Sequence, residues 1–568
     1  MTSVLAADPP PITNTWAAPA IAAVVAIALA AVVFTVVRSV RGSTRTPDDF
    51  LLAGKNVGAI PNAITMLGGI ILYSTMIISV GHIALNGLDA VYLVVSFTIG
   101  SVLGVLIYAA PLRNVGGHTL GDLFVLRARE RPARIASAVT TLTIYTMFMV
   151  SMLAAIGLVS NRMFETSSTV DKPFAAGIIF LVGAIAIFWV YMGGMTGVTR
   201  ILVLKTVLMV IAVAVLTVAV LAKYKMNMFH LLDDAQAHAA PNKNGFKLLD
   251  DGRLFSKGST YNSGQDPWVH LSKLVCIAIG GMGMPWFFMR FYVAKNGREA
   301  RQSAGWASMV IAAFYQCIII LGLGAVAILH AKNIALIPEH RDATLPKLVA
   351  NLFGKWANGV LGGFALLSVA AILAALLING VTSFTKDINA ARGRHPEPAA
   401  EVKDIRRNVL VIGIASLVLG TVMVPLLTHI FIPTSIDLGA SVVLPSLLYS
   451  LYWRRFNTRG LMWTIYGGLA VTIIAVLFSN GISGDPHNAM FPGLDFKIVD
   501  LEPGMISAPI AFLLGYLGTI TSPERNDAAF AELRVRALTG ATLPARKAPS
   551  APSAGTDATE SRTPSEAL

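Results

Sequence analysis

Two short runs in this sequence are built to open a helix rather than extend it. The first reads AITMLGGIILYST over residues 63–75, with Gly68 and Gly69 at its middle. The second reads CIAIGGMGMPWFF over residues 276–288, with Gly280, Gly281 and Gly283 ahead of Pro285. Glycine lowers the cost of unwinding, and proline removes a backbone donor and clashes with the preceding turn. An opened helix presents N–H groups and a positive dipole end to an anion, while its freed carbonyls suit a cation. Tyr73, Ser74 and Thr75 end the first run, and Trp286 follows Pro285 in the second. Their hydroxyls and indole can orient a small ligand while aromatic faces exclude water. Packing offers a competing account. Glycines in apolar helices also let backbones approach closely, and Ser and Thr often bond their own helix carbonyls.

Lys273 is read as the one cation lying away from a loop or a span edge. Lys273, Ile277 and Gly281 are spaced four apart, so the ammonium shares a helix face with the second run. It could attract a carboxylate, or replace a coupling cation by gaining and losing a proton. Snorkelling to nearby water is the alternative. His82 and His270 fall near the outer ends of the two interrupted runs, as pH-sensitive gates or as plain loop residues. Cys276 and Cys317 lie inside apolar runs, offer no disulfide framework or metal spacing, and read as small buried hydrophobes. Without a P-loop, zinc motif or triad-like cluster, neither ATP-driven pumping nor catalysis is supported. The expectation is a non-enzyme with no cofactor or metal beyond a possible Na⁺ as coupling ion.

Composition explains where such runs must sit. The chain has 568 residues, 55% hydrophobic and 13% charged, with a mean hydropathy of +0.67. Soluble domains carry about 25% charged residues, so this chain lacks the surface charge that several soluble domains would need. Its apolar residues cluster in stretches of about 20, the length that crosses a ~30 Å hydrocarbon core. About thirteen spans are expected, near 17–38, 58–81, 90–110, 135–160, 173–192, 200–222, 269–290, 302–328, 357–385, 408–428, 432–452, 460–479 and 506–521.

The net charge of +13 sits mainly in alternate loops, the mark of membrane topology rather than of a nucleic-acid surface. Arg38, Arg41 and Arg45 follow the first span, and Arg113, Arg127, Arg129, Arg131 and Arg134 follow the third. Lys386 to Arg407 and Arg454 to Arg459 continue the alternation. An outside N-terminus and a cytoplasmic C-terminus follow in a plasma-membrane protein. Residues 1–57 form the outside N-terminus, the first span and a basic loop; 58–452 form a ten-helix core; 453–521 add two spans; 522–568 are a tail. A short helix at 526–538 and disorder from about 541 are expected there. The interrupted second and seventh spans lie five helices apart and so enter from opposite sides, the arrangement of a five-plus-five inverted repeat.

These residues resemble a known family. DDFLLAGKNVG, YMGGMTGVTRILVLK, TSFTKDINAARG and above all GMGMPWFFMRFYVAKNGREARQSAGW look like the sodium:solute symporter family, most closely its acetate and monocarboxylate branch. The likeness runs from about residue 48 to 540. It implies an all-α, LeuT-like core with one extra helix before it and two after. It also implies uptake of acetate, propionate or pyruvate with Na⁺ or H⁺. By the same resemblance, a sodium site takes carbonyls matching Leu67 and Ile70 and oxygens matching Ser368, Ala371 and Ile372. Hydroxyls are missing at the last two, Gly69 stands where the family often has Asp, and Met152 where it has Gln. Proton coupling is therefore expected, with Lys273 as a charge substitute. A uniporter or channel for a neutral solute such as urea, and a transport-inactive sensor, are the alternative readings.

Overall fold

In hydrocarbon every backbone polar group must be satisfied within its own segment, so apolar runs of this length fold as helices. The computed structural model describes residues 46–164, 172–239, 247–249, 267–330, 343–423, 428–483 and 490–541, apart from a few single positions. The expected first span at 17–38, apart from Ala31 and Thr35, and the expected disorder beyond 541 lie outside the described residues. Among the described residues, ten helices are long and apolar enough to cross a membrane, and eleven if one bent pair counts as a single span. The short helix expected at 526–538 is present as Asp527–Thr539.

The spans expected at 173–192 and 200–222 fall within a helical segment of 52 residues, Lys172–Lys223, in which two helices meet at a kink. At about 1.5 Å per residue it is more than twice as long as the hydrocarbon core. It therefore suffices for two crossings, divided at a kink where Gly194 takes φ 50°, ψ −150°. A Cβ there would also lie 2.6 Å from the Phe50 carbonyl oxygen, so only glycine meets both demands.

Inter-helix contacts sort the loops into two sets. On one side Val57 N–H donates to the Val293 carbonyl (3.3 Å), Arg113 reaches the Lys295 carbonyl (2.7 Å), and Arg127 reaches Trp453 and Arg454 (2.9 Å each). On the other, Leu88 N–H donates to Leu248 (3.2 Å) and Glu502 N–H to the Ser272 hydroxyl (2.9 Å). Most of the arginine-bearing loops named above belong to the first set. Several of those arginines do more than mark a face, because they bind loop carbonyls that no helix satisfies.

The most enclosed span is Trp356–Ala391, with 83% of its apolar stretch buried, against 33% for Leu88–Ile107. The former is therefore central, packed on Glu130–Phe164 and Lys172–Lys223, and the latter peripheral. This centre backs the two interrupted spans.

Candidate substrate and coupling site

Both glycine-bearing runs are broken. The helix Ala59–Ile70 ends with Ile71 N–H donating to the Leu67 carbonyl (2.8 Å), and Leu72 is extended. A second helix, Tyr73–Asn86, then starts, with its Thr75–Asn86 part inclined 59° to the first. In the other run, Pro267–Gly281 stops, Gly283 N–H bonds back to the Gly280 carbonyl (2.8 Å), and Met284 is extended. Pro285 then occupies the first turn of Pro285–Val293, where its missing N–H costs nothing.

The two breaks meet. A Cβ on Gly69 would lie 3.7 Å from Cδ1 of Trp286. The Trp286 indole in turn lies on Phe148, with ring centroids 4.5 Å apart. Asn62, buried, donates from Nδ2 to the Arg290 carbonyl (2.9 Å) and ties together the two half-helices that reach the arginine-bearing loops. Met152 is buried one turn beyond Phe148 on the same helix.

The glycines divide by what surrounds them. A Cβ on Gly68 would be 2.2 Å from Thr206 Oγ1, one on Gly280 2.2 Å from the Ile436 carbonyl, and one on Gly283 2.2 Å from the Gly439 carbonyl. Close backbone approach requires glycine at these three. Gly281 has nothing within 4 Å, and Gly69 faces Trp286 at ordinary contact distance. Thr75 and Trp286 are half-buried at the breaks. Tyr73 and Ser74 open the second half-helix, and their side chains lie outside the described residues.

A cation already occupies the first break. Lys205, 2% exposed, donates from Nζ to the Gly68 carbonyl (2.8 Å) and to the Ile71 carbonyl. The Leu67 carbonyl accepts from Ile71 instead, while Ser368 Oγ, buried in the central helix, has no hydrogen-bond partner among the described residues. Ala371 and Ile372 are fully enclosed. Lys273 is half-buried on Pro267–Gly281, where its charge acts on Asp437 and His270.

Beyond the second break a narrow cavity runs along Pro285, Phe288 and Tyr292 toward Thr141, Asn379 and Thr382. Two of its lining residues, Thr119 and Ser383, bond Asp387, which is fully buried. Asp387 accepts from Thr119 Oγ1 (2.7 Å), Arg134 (3.1 Å), Ser137 Oγ (3.0 Å) and Ser383 Oγ (3.0 Å). Arg134 also pairs with Asp122 at 2.7 Å, and this holds the Asp122 carboxyl below its usual range despite its burial.

Sequence reasoning took Lys273 as the one interior cation, and that needs correction. Lys205 and Arg290 are both more deeply buried, and Arg290 donates to Thr199 Oγ1 at 2.9 Å. The available signal was the tract TRILVLK, in which Lys205 stands inside an apolar stretch rather than at its margin.

The sequence model of the sodium:solute symporter family matches residues 50–468. The chain belongs to the sodium:solute symporter family. Over 517 residues it is 32% identical to a protein of Corynebacterium glutamicum named a monocarboxylic acid transporter, covering 90% of this chain and 93% of that one. It is 26% identical to the symporter YwcA of Bacillus subtilis, described as uncharacterized, covering 88% of this chain and 94% of that one. A solved structure of a Na⁺-coupled sialic acid symporter, substrate-bound and outward-open, superposes with a TM-score of 0.65 at 16% identity. It covers 89% of this chain and 97% of that one. The fold is thus the LeuT-like fold of this family, and the two breaks lie within the matched segment.

Proposed function

We propose that this symporter imports a small monocarboxylate such as acetate, propionate or pyruvate across the plasma membrane by alternating access, with protons rather than Na⁺ as the coupling ion. The supporting observation is the convergence of two broken helices at Gly69 and Trp286. Irregular backbone at membrane depth is tolerated only where it is buried in protein or lines a cavity. The substrate class follows the relative named a monocarboxylic acid transporter, matched along nearly its whole length. The coupling ion follows from chemistry: a hard cation needs several oxygen ligands, and positions 371 and 372 offer buried alanine and isoleucine instead. By the charge rule the arginine-bearing loops face the cytoplasm, with the N-terminus outside and the C-terminus inside.

Uptake of labelled acetate and pyruvate into proteoliposomes, under Na⁺ and pH gradients imposed separately, tests this. Accumulation driven by the pH gradient and inhibited by propionate but not by urea is expected. Equal inhibition by urea, or uptake needing Na⁺ and indifferent to pH, would overturn it.

A further inference from the structure

We infer that Lys205 supplies, on its own side chain, the cation that the first break would otherwise take from solution, and that the proton it carries is the coupling ion. This rests on the reading of the chain as a monocarboxylate importer. Its ground is placement: Nζ bonds the carbonyls of Gly68 and Ile71, and these flank the point where Ala59–Ile70 stops and the chain turns. A monovalent cation bound to the loose carbonyl end of a broken helix satisfies those oxygens and opposes the negative dipole end. An ammonium carries the same charge and three donors. Two donors are used here.

The neighbourhood fits an ammonium tethered by a side chain. Thr206, next to Lys205, bonds the Leu202 carbonyl (2.6 Å) and sits where any side chain at position 68 would have to go. Gly68 thus lets the lysine's helix come close enough for its stem to span the gap. Among the described residues, no carboxylate or second cation acts on the amine. On the helices packed around it, Arg134 is bound to Asp122 and Asp387, Lys386 pairs with Glu401 at 2.6 Å, and Tyr145 bonds Ser416. Ala59–Ile70 has no ionisable residue at all. A lone lysine at a helix centre in the membrane costs about 3 kcal/mol when charged, and a buried lysine changes protonation state readily.

The proton cycle is simple. On the outer side the amine takes a proton from water, and the ammonium bridges Gly68 and Ile71 and attracts the carboxylate. On the inner side one N–H bond breaks and the proton passes to water. The neutral amine then holds the carbonyls weakly and no longer attracts the anion, so both leave.

Two substitutions separate a proton carrier from a fixed charge. Lys205→Arg keeps a permanent cation, and Lys205→Met removes it. With wild-type protein accumulating acetate on a pH gradient, the arginine variant is expected to lose at least about tenfold in accumulation, and the substrate exchange it retains is expected to be independent of pH. The methionine variant is expected to lose both. Monodispersity in detergent checks folding, and a variant that fails it is replaced by Lys205→Gln. Accumulation by the arginine variant at the wild-type level overturns the inference and leaves the function standing. Absence of monocarboxylate uptake by wild-type protein overturns the function instead. In that event the melting temperature still tests the lysine. A bound ion stabilises by mass action, so replacing K⁺ with Na⁺ is expected to move it by less than about 1 °C. A rise of several degrees would overturn the inference.

Discussion

Gly69 and Trp286 face each other across the two helix breaks, with a Cβ on the glycine placed 3.7 Å from the indole Cδ1. Alanine therefore fits, because 3.7 Å is ordinary contact. A longer side chain must enter the space between the breaks. Gly69→Ala is expected to keep uptake within about twofold, and Gly69→Leu to reduce it by more than about tenfold with little change in melting temperature. A leucine variant that transports at the wild-type rate would mean that substrate does not pass between these residues.

Gly283 presents the opposite situation. A Cβ there would lie 2.2 Å from the Gly439 carbonyl, where the helix Thr428–Leu438 enters a π-type turn at Gly439–Val443. Backbone cannot yield as a side-chain tip can. Gly283→Ala is expected to destabilise the protein by about 3 kcal/mol, the upper end for overpacking. Gly281→Ala, with nothing within 4 Å, is the matched control and should be close to neutral. Melting temperatures of the two variants in detergent decide between them, and equal values would contradict the geometry.

That contrast also shows what one-dimensional reading could reach. Both breaks were legible because glycine and proline act locally, through the backbone of their own residue. Which glycine touches a neighbour and which opens to space depends on Thr206, Ile436 and Gly439, all remote in sequence. Lys205 escaped notice for a similar reason. Counted from Arg200 it resembles a span edge, but the helix that follows the kink at Gly194 starts before Arg200, and position 205 is deeply buried. Asp387, near the end of a long apolar helix, looked like part of a basic loop until Thr119, Ser137 and Ser383 converged on it.

The Asp387 cluster is expected to hold its side of the cavity shut. A cysteine introduced at Thr382, which lines that cavity, should react slowly with a water-soluble maleimide once Cys276 and Cys317 are replaced. Asp387→Ala removes the acceptor shared by three hydroxyls and Arg134. Breaking a buried pair of this kind costs about 3–5 kcal/mol, enough to shift a two-state equilibrium by more than a hundredfold if the closed state alone contains it. Labelling at position 382 should accelerate by about tenfold or more. An unchanged rate would mean that the cluster braces the helices in both states.

Arg127 is fully enclosed although it lies in a loop, and it binds four carbonyls: Trp453, Arg454, Phe456 and Asn526. The planar fork is what reaches them. Lysine offers a single point of attachment, so Arg127→Lys should still lose about 2–3 kcal/mol of stability, the worth of one or two charge-assisted hydrogen bonds. Arg127→Lys melting with wild-type protein would show those carbonyls to be satisfied by water.

Asp48 supplies a pH test outside the membrane spans. It follows Pro47 in a short helix capped by Thr46, whose hydroxyl accepts from Asp49 N–H, and it leads into the first broken helix. The His118 ring nitrogen lies 2.5 Å from Oδ1, and Lys55 Nζ lies 2.9 Å from Oδ2. The His118 bond, with Lys55 beside it, holds this carboxyl far below the ordinary carboxylate range despite partial burial. A folded-state pKa below the unfolded value of about 3.9 means that the stabilisation is complete above about pH 5 and is lost as pH falls further. The difference in melting temperature between wild-type protein and Asp48→Asn should therefore narrow as pH falls from about 5 toward 3.5. A difference that widens between pH 5 and 3.5 would place the sign of the interaction the other way, and the contact with His118 would not be holding the loop ahead of the first break.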